Sequence, residues 1–239
     1  MAVELPPLLA KLASEPERAA ILLDIDGTLA PIVADPSQSR VPDETRSELV
    51  RLAGRYALVG CLTGRTHEQA RAIVGVDEIE YIGEHGLELR PEAERWADVL
   101  DGFAADTGLP VERKRFTIAF HYRTAPDEEA AVALLEGVAG RAADAGLVPK
   151  WGRKVLELRP PIDAHKGTAV VHLLTRRGID RALFAGDDLT DLDGFRAMDD
   201  LPLGVKIAVS SREAPSGLAT EADIVVDGPE ELRELLRQL

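Results

Sequence analysis

The chain has 239 residues, 45% of them hydrophobic and 29% charged, with 42 acidic against 28 basic side chains and a formal net charge of −14. That length and composition fit one sizeable globular domain, or one domain carrying a smaller insert. The acidic excess argues against nucleic acid and anionic membranes as partners, and a lone cysteine, Cys61, excludes an internal disulfide framework.

Residues 1–20 mix Leu and Ala with Glu, Pro, Lys and Arg, so they lack the unbroken apolar segment of a secretory signal. No apolar stretch is long enough to span a bilayer, and a cytoplasmic monomer is the expectation. Short apolar runs at 20–24, 56–62, 80–83, 182–185, 206–209 and 224–226 read as strands. Helical patterns lie between them at 43–54, 68–74, 95–106, 166–177 and 192–198. This alternation predicts an α/β fold, a parallel sheet covered by helices, with ligands beyond the carboxyl ends of its strands. One stretch breaks the rhythm. Residues 111–122 read as extended, 126–145 as an Ala-rich helix, and 147–151 and 154–158 as two strands turning at Gly152-Arg153. The pattern predicts a small antiparallel sheet with its own helix, an inserted α/β cap over 108–160 in a core of 1–107 and 161–239.

Two acidic stretches follow apolar runs: Asp24-Ile25-Asp26-Gly27-Thr28 and Gly186-Asp187-Asp188-Leu189-Thr190-Asp191. Brought together, their five carboxylates would repel one another without a cation, so the expected occupants are Mg²⁺ and a phosphate. Asp24, at a strand end, can attack phosphorus, and Asp26 can reach the leaving oxygen as acid and then base. Alone, Asp-x-Asp-Gly would be an Asx-type turn; the preceding strand and the partner motifs favour chemistry. Asp187 is the expected direct metal ligand, with Asp188 and Asp191 holding waters or orienting neighbours. Asp191 has a second reading, a helix N-terminal cap. Thr63-Gly64-Arg65 sits at a strand-to-helix turn that suits a phosphate oxygen, or that only starts a helix, since Thr66-x-x-Gln69 has capping-box spacing. Lys166 opens another helix, either neutralising nucleophile and phosphate or simply solvated.

In this order, Asp24-x-Asp26-Gly27-Thr28, Thr63, Lys166 and Gly186-Asp187-Asp188-x-x-Asp191 resemble the motifs of the haloacid dehalogenase superfamily. An Asp at position 26 is similar to its phosphatases and phosphomutases. Residues 24–32, Gly83-Glu84-His85-Gly86-Leu87-Glu88, His121-Tyr122-Arg123, 155–160 and the Thr190-Asp191 ending resemble the trehalose-6-phosphate phosphatases. The resemblance implies a Rossmann-like core with an inserted cap that selects substrate. It implies Asp24 as nucleophile, Asp26 as general acid and base, and Thr63 and Lys166 on phosphate, with Gly64 and Arg65 beside them. It implies Mg²⁺ on the Asp24 carboxylate, the Asp26 carbonyl and Asp187, and His85, Arg123 and Glu157 on the sugar or phosphate. The implied substrate is a small sugar phosphate, trehalose 6-phosphate. Sucrose phosphate or a glycosyl-phosphoglycerate, a phosphomannomutase reaction and a non-catalytic sugar-phosphate sensor are the alternatives.

Overall fold

Runs of five apolar residues with no polar break can be buried on both faces, and such strands form the parallel sheet at the centre of this protein. A computed structural model describes residues 5–33, 35–104, 107–152, 154–210 and 216–239. The chain packs as two units, one running to Gly86 and resuming from His165 to Leu239, the other Leu87–Ala164.

The first unit begins with α1 (Pro7–Ala13), β1 (Ala19–Leu23), α2 (Asp43–Ala53), β2 (Leu58–Leu62), α3 (His67–Val74) and β3 (Glu80–Ile82). The second holds α4 (Ala97–Asp101), β4 (Val111–Arg113), β5 (Ile118–His121), α5 (Glu128–Asp144), β6 (Val148–Gly152) and β7 (Val155–Arg159). The first resumes with α6 (Lys166–Arg177), β8 (Arg181–Gly186), α7 (Asp191–Asp199), β9 (Leu203–Ser210), α8 (Ser216–Glu221), β10 (Ile224–Asp227) and α9 (Gly228–Leu236).

All six strands of the first unit are parallel, in the order β10-β9-β8-β1-β2-β3. The chain steps outward from β1 through β2 and β3, then outward on the other side from β8 through β9 and β10. The order therefore reverses between β1 and β8, where a doubly wound sheet opens a crevice at its carboxyl edge. Leu23 pairs with Ala185, so Asp24 and Gly186 emerge side by side, and Asp24 N–H donates to the Ala185 carbonyl at 2.9 Å. Ile21, Leu23, Val59, Cys61, Leu183 and Ala185 face one core, which Leu9 and Leu12 of α1 and Leu232, Leu235 and Leu236 of α9 help to close. On the other face, Phe184 meets Phe195 of α7 edge-on. The sequence does not foresee α1, α8 or α9, which are short and carry no motif. Among the described residues, no helix is long and apolar enough to cross a membrane.

The second unit is a four-stranded antiparallel sheet, β4-β5-β7-β6, backed by α5. Ala131, Leu135, Val138 and Ala142 form a stripe at helical spacing that packs on Ile118, Phe120, Leu156 and Leu158. Asp127 caps α5 by accepting from Ala130 N–H at 3.0 Å. The unit is wider than the cap expected over 108–160, because Trp96, Val99, Leu100 and Phe103 pack into the same core and Leu87, Ala93 and Phe116 form a second one. The helix expected over 95–106 is shorter: a 3₁₀ turn, Pro91–Trp96, leads into α4, which stops at Gly102. Its expected end at Asp106, and Arg153 of the expected hairpin turn, lie outside the described residues.

Helices α6 and α7 touch at Gly167, where a Cβ would stand 2.4 Å from the Asp193 carbonyl oxygen. Gly167→Ala is expected to push the two helices apart and to cost about 1–3 kcal/mol of stability, measured by urea unfolding. An unchanged midpoint would show that the contact yields freely.

Candidate active site

Lys166 is the first residue of α6, and a capping box between His165 and Thr168 fixes where that helix begins. Its side chain is 3% exposed, so the reading of a solvated lysine does not hold. Nζ donates to Asp24 Oδ1 at 2.7 Å and to Asp191 Oδ1 at 2.6 Å. Oδ2 of Asp191 accepts the N–H groups of Asp187 and Asp188, each at 3.0 Å. Thr190 is the N-cap residue of α7, but its side chain makes no capping bond to the helix; Asp191 is instead turned back to tie its own loop to Lys166. Asp187 lies beside this group, and Thr28 Oγ1 donates to its Oδ1 at 3.4 Å. Asp188 stands apart, accepting from Thr190 N–H and Oγ1.

Carboxylate oxygens of Asp24, Asp187 and Asp191 lie within 4.8 Å of one another, and all three residues are buried. Burial raises the Asp24 carboxyl well above its ordinary range; Lys166 pulls it down, while Asp191 and Asp187 push it further up. Burial, with Asp191 and Asp188, raises Asp187 to about 7. Asp191 is also raised, chiefly by burial and against Lys166. Burial disfavours the Lys166 ammonium, but Asp191 and Asp24 outweigh it and hold the proton firmly. Hard oxygen donors with uncompensated negative charge fit a small divalent cation.

Asp26 is held differently. Arg65 Nε donates to its Oδ2 at 2.7 Å, Arg65 Nη2 to its Oδ1 at 2.7 Å, and Ser39 Oγ to its Oδ1 at 2.8 Å. Burial raises this carboxyl, but the bonds from Arg65 and Ser39 outweigh it and leave it below its ordinary range. The sequence groups Arg65 with the phosphate ligands; in the structure its guanidinium is bound to Asp26. Thr63 follows β2, its N–H on the Ile82 carbonyl at 3.0 Å and its Oγ1 accepting from Arg65 N–H at 3.2 Å. Thr66 and Gln69 complete the expected capping box of α3. His85 follows with φ of 54°, and its ring covers Gly64, where a Cβ would fall 2.5 Å from Nε2.

Arg123 and Glu157 belong to the second unit. Arg123 is exposed in the turn after β5. Glu157 points away from α5, as its alternation with Leu156 and Leu158 requires. Register extends that face into a row, Glu112, Ala119, Glu157 and Lys150. His121 lies 3.3 Å from Glu112, and Lys114 3.9 Å from it. His121 stands in the His121-Tyr122-Arg123 motif, whereas Glu112 belongs to no motif and only the alternation within 111–122 points to it.

The Trehalose-phosphatase family pattern matches residues 22–101 and 97–230. The chain belongs to the trehalose-phosphatase family. A probable trehalose-phosphate phosphatase 3 of Oryza sativa subsp. japonica is 31% identical over 95% of this chain and 70% of its own length. The chain spans 61 to 72% of the length of such curated relatives. A crystal structure described as a trehalose-6-phosphate phosphatase related protein superposes with a TM-score of 0.75, at 27% identity, over 92% of this chain and 96% of that one. A haloacid dehalogenase-like hydrolase from Bacteroides thetaiotaomicron shares the fold, with a TM-score of 0.67 at 15% identity over 92% of this chain and 98% of that one.

Because Asp187 rises from 3.8 to about 7, the folded site binds more protons than the unfolded chain between those pH values. The cation-free protein therefore loses stability as pH rises through that window. A divalent cation competes with those protons, so the gain in Tm on adding Mg²⁺ is expected to grow from about pH 5 to about pH 8. Differential scanning fluorimetry reads this; a gain independent of pH would contradict the site.

Proposed function

We propose that this chain hydrolyses trehalose 6-phosphate to trehalose and inorganic phosphate through an aspartyl-phosphate on Asp24. What carries the reading is the buried Lys166 bridging Asp24 and Asp191 beside Asp187, at the switch point of the sheet, in a member of this family.

An oxygen of Asp24 attacks phosphorus and the bond from phosphorus to the sugar 6-oxygen breaks. The electron pair leaves on that oxygen, which takes a proton from Asp26; the negative charge of the bound phosphate raises this carboxyl from the low value set by Arg65 and Ser39 and so places the proton on it. Water then attacks the phosphorus of the aspartyl-phosphate, gives its proton to Asp26 and restores the Asp24 carboxylate. Lys166, Thr63 and the Gly64 backbone bind the phosphoryl oxygens, and Asp191 keeps Lys166 and the Asp187 loop in register. Asp24, Asp187 and the Asp26 carbonyl would hold Mg²⁺, with Asp188 assisting through water. When bound, the ion neutralises charge on the phosphoryl group.

His85, beside Gly64, is assigned to the substrate. So is the open face of the four-stranded sheet, where Glu157, Glu112, Lys114 and His121 offer donors and acceptors suited to sugar hydroxyls; Arg123 sits at the exit of β5 from that sheet. The protein is expected to act as a cytoplasmic monomer on a small sugar phosphate, with no nucleic acid or membrane.

Phosphate release measured over a panel of sugar phosphates with Mg²⁺ tests this reading. Preference for trehalose 6-phosphate is expected; preference for another ester would overturn the substrate, and no release from any ester would overturn the reaction. Asp24→Asn is expected to lower kcat by roughly 10⁴-fold or more with an unchanged circular dichroism spectrum. Retained turnover would remove Asp24 as nucleophile.

A further inference from the structure

We propose that Ser39 and Arg65 are positioning residues for Asp26, and that they aim one of its two oxygens, Oδ2, at the departing sugar oxygen. The inference rests on Asp26 as the general acid and adds what holds it and which oxygen moves the proton.

Donors converge unevenly on this carboxylate. Oδ1 accepts from Ser39 Oγ at 2.8 Å and from Arg65 Nη2 at 2.7 Å, which uses both of its lone-pair directions. Among the described residues, Oδ2 accepts only from Arg65 Nε, at 2.7 Å, which leaves it one further lone-pair direction. The planar fork of Arg65 fixes the plane of the carboxyl group as well as its position, which a lysine could not do.

Each holder is itself held. Arg65 Nη1 donates to the Pro36 carbonyl at 3.0 Å, Arg65 N–H to Thr63 Oγ1 at 3.2 Å, and the Arg65 carbonyl accepts from Glu84 N–H at 2.8 Å. Ser39 is 3% exposed and follows a 3₁₀ turn, Pro36–Gln38. Asp35 fastens that turn by accepting from Ser37 N–H at 3.0 Å, Ser37 Oγ at 2.7 Å and Gln38 Nε2 at 3.2 Å. The loop between β1 and α2 thus presents a serine hydroxyl to the acid and a carbonyl to Arg65, and the loop after β2 presents the guanidinium that grips the acid.

A general acid matters most when the leaving group is poor. Proton delivery governs the first chemical step for a sugar alkoxide and much less for p-nitrophenolate, and kcat/KM for both esters covers binding and that step but not hydrolysis of the aspartyl-phosphate. Ser39→Ala, Arg65→Lys and Arg65→Ala are therefore measured on trehalose 6-phosphate and on p-nitrophenyl phosphate, with a thermal melt on each protein. The expected result is a ratio of kcat/KM, sugar ester over aryl ester, that falls about ten- to hundred-fold, a loss typical of a misplaced catalytic group. Ser39→Ala and Arg65→Lys should fall less than Arg65→Ala. An unchanged ratio with both rates reduced would overturn the inference, assigning Arg65 to phosphate binding or to the fold, while the phosphatase reading stands. A wild-type protein inactive on both esters would overturn both.

Discussion

One buried ammonium organises the first unit. Lys166 reaches across from α6 to the ends of β1 and α7 and joins two carboxylates that the fold would otherwise force together uncompensated. Two like charges 4 Å apart at an effective dielectric near 20 repel by about 4 kcal/mol. With Asp187 included, three carboxylates face one ammonium, and two negative charges remain. A divalent cation is equal to that remainder in size and opposite in sign. Asp26 and Arg65 form a separate pair that is already balanced, so they add nothing to it. The carboxylates at the switch point thus divide into one set that calls for a cation and one that does not.

The two acidic motifs interlock, and their glycines show it. Gly27 has φ of 87°, and a Cβ there would stand 2.0 Å from Asp187 Oδ2. At Gly186 a Cβ would stand 2.2 Å from the Asp191 carboxyl carbon. Each glycine makes room for a carboxylate, Gly27 for one from the other motif and Gly186 for one from its own. The spacing within each motif is therefore a packing requirement as well as a chemical one. A change at either glycine would be felt at a carboxylate before it was felt in the sheet.

What could be read from the residues follows from how local the cause is. The central strands are legible because burial on both faces leaves an unbroken apolar run, as in Ala20-Ile21-Leu22-Leu23. Helix α6 is legible at both ends because His165 and Thr168 cap its start and Gly178, in the left-handed conformation, ends it. Helix α9 is not, because its leucines have meaning only against a sheet that they cannot specify. The first edge of the second unit is missed for a similar reason, since 3₁₀ turns between 84 and 96 carry no period. At the site, Asp24, Asp26, Lys166 and Asp187 stand out by residue type and position. The partner of Asp26 does not: Arg65 is 39 residues away and already has a plausible phosphate role, and Ser39 sits in a polar loop with nothing to mark it.

Two aspartates two residues apart are held by different parts of the molecule, and the difference suits their work. Asp24 is anchored by the core itself. Its backbone is bonded to β8, its side chain is 7% exposed, and Lys166 pins one oxygen. A nucleophile gains from such fixity, because attack requires one oxygen in line with the leaving bond. Asp26 is anchored by loops. Its side chain is 36% exposed, and the groups that hold it are side chains from the stretches after β1 and β2. A proton carrier must serve the sugar oxygen in one step and a water molecule in the next, at slightly different places. The fork of Arg65 keeps the carboxyl plane aimed, and the lone-pair direction left on Oδ2 can serve either partner. The alternation Asp-Ile-Asp therefore does more than place two carboxylates near one phosphorus. It puts one in the grip of the core and the other in the grip of side chains from two loops.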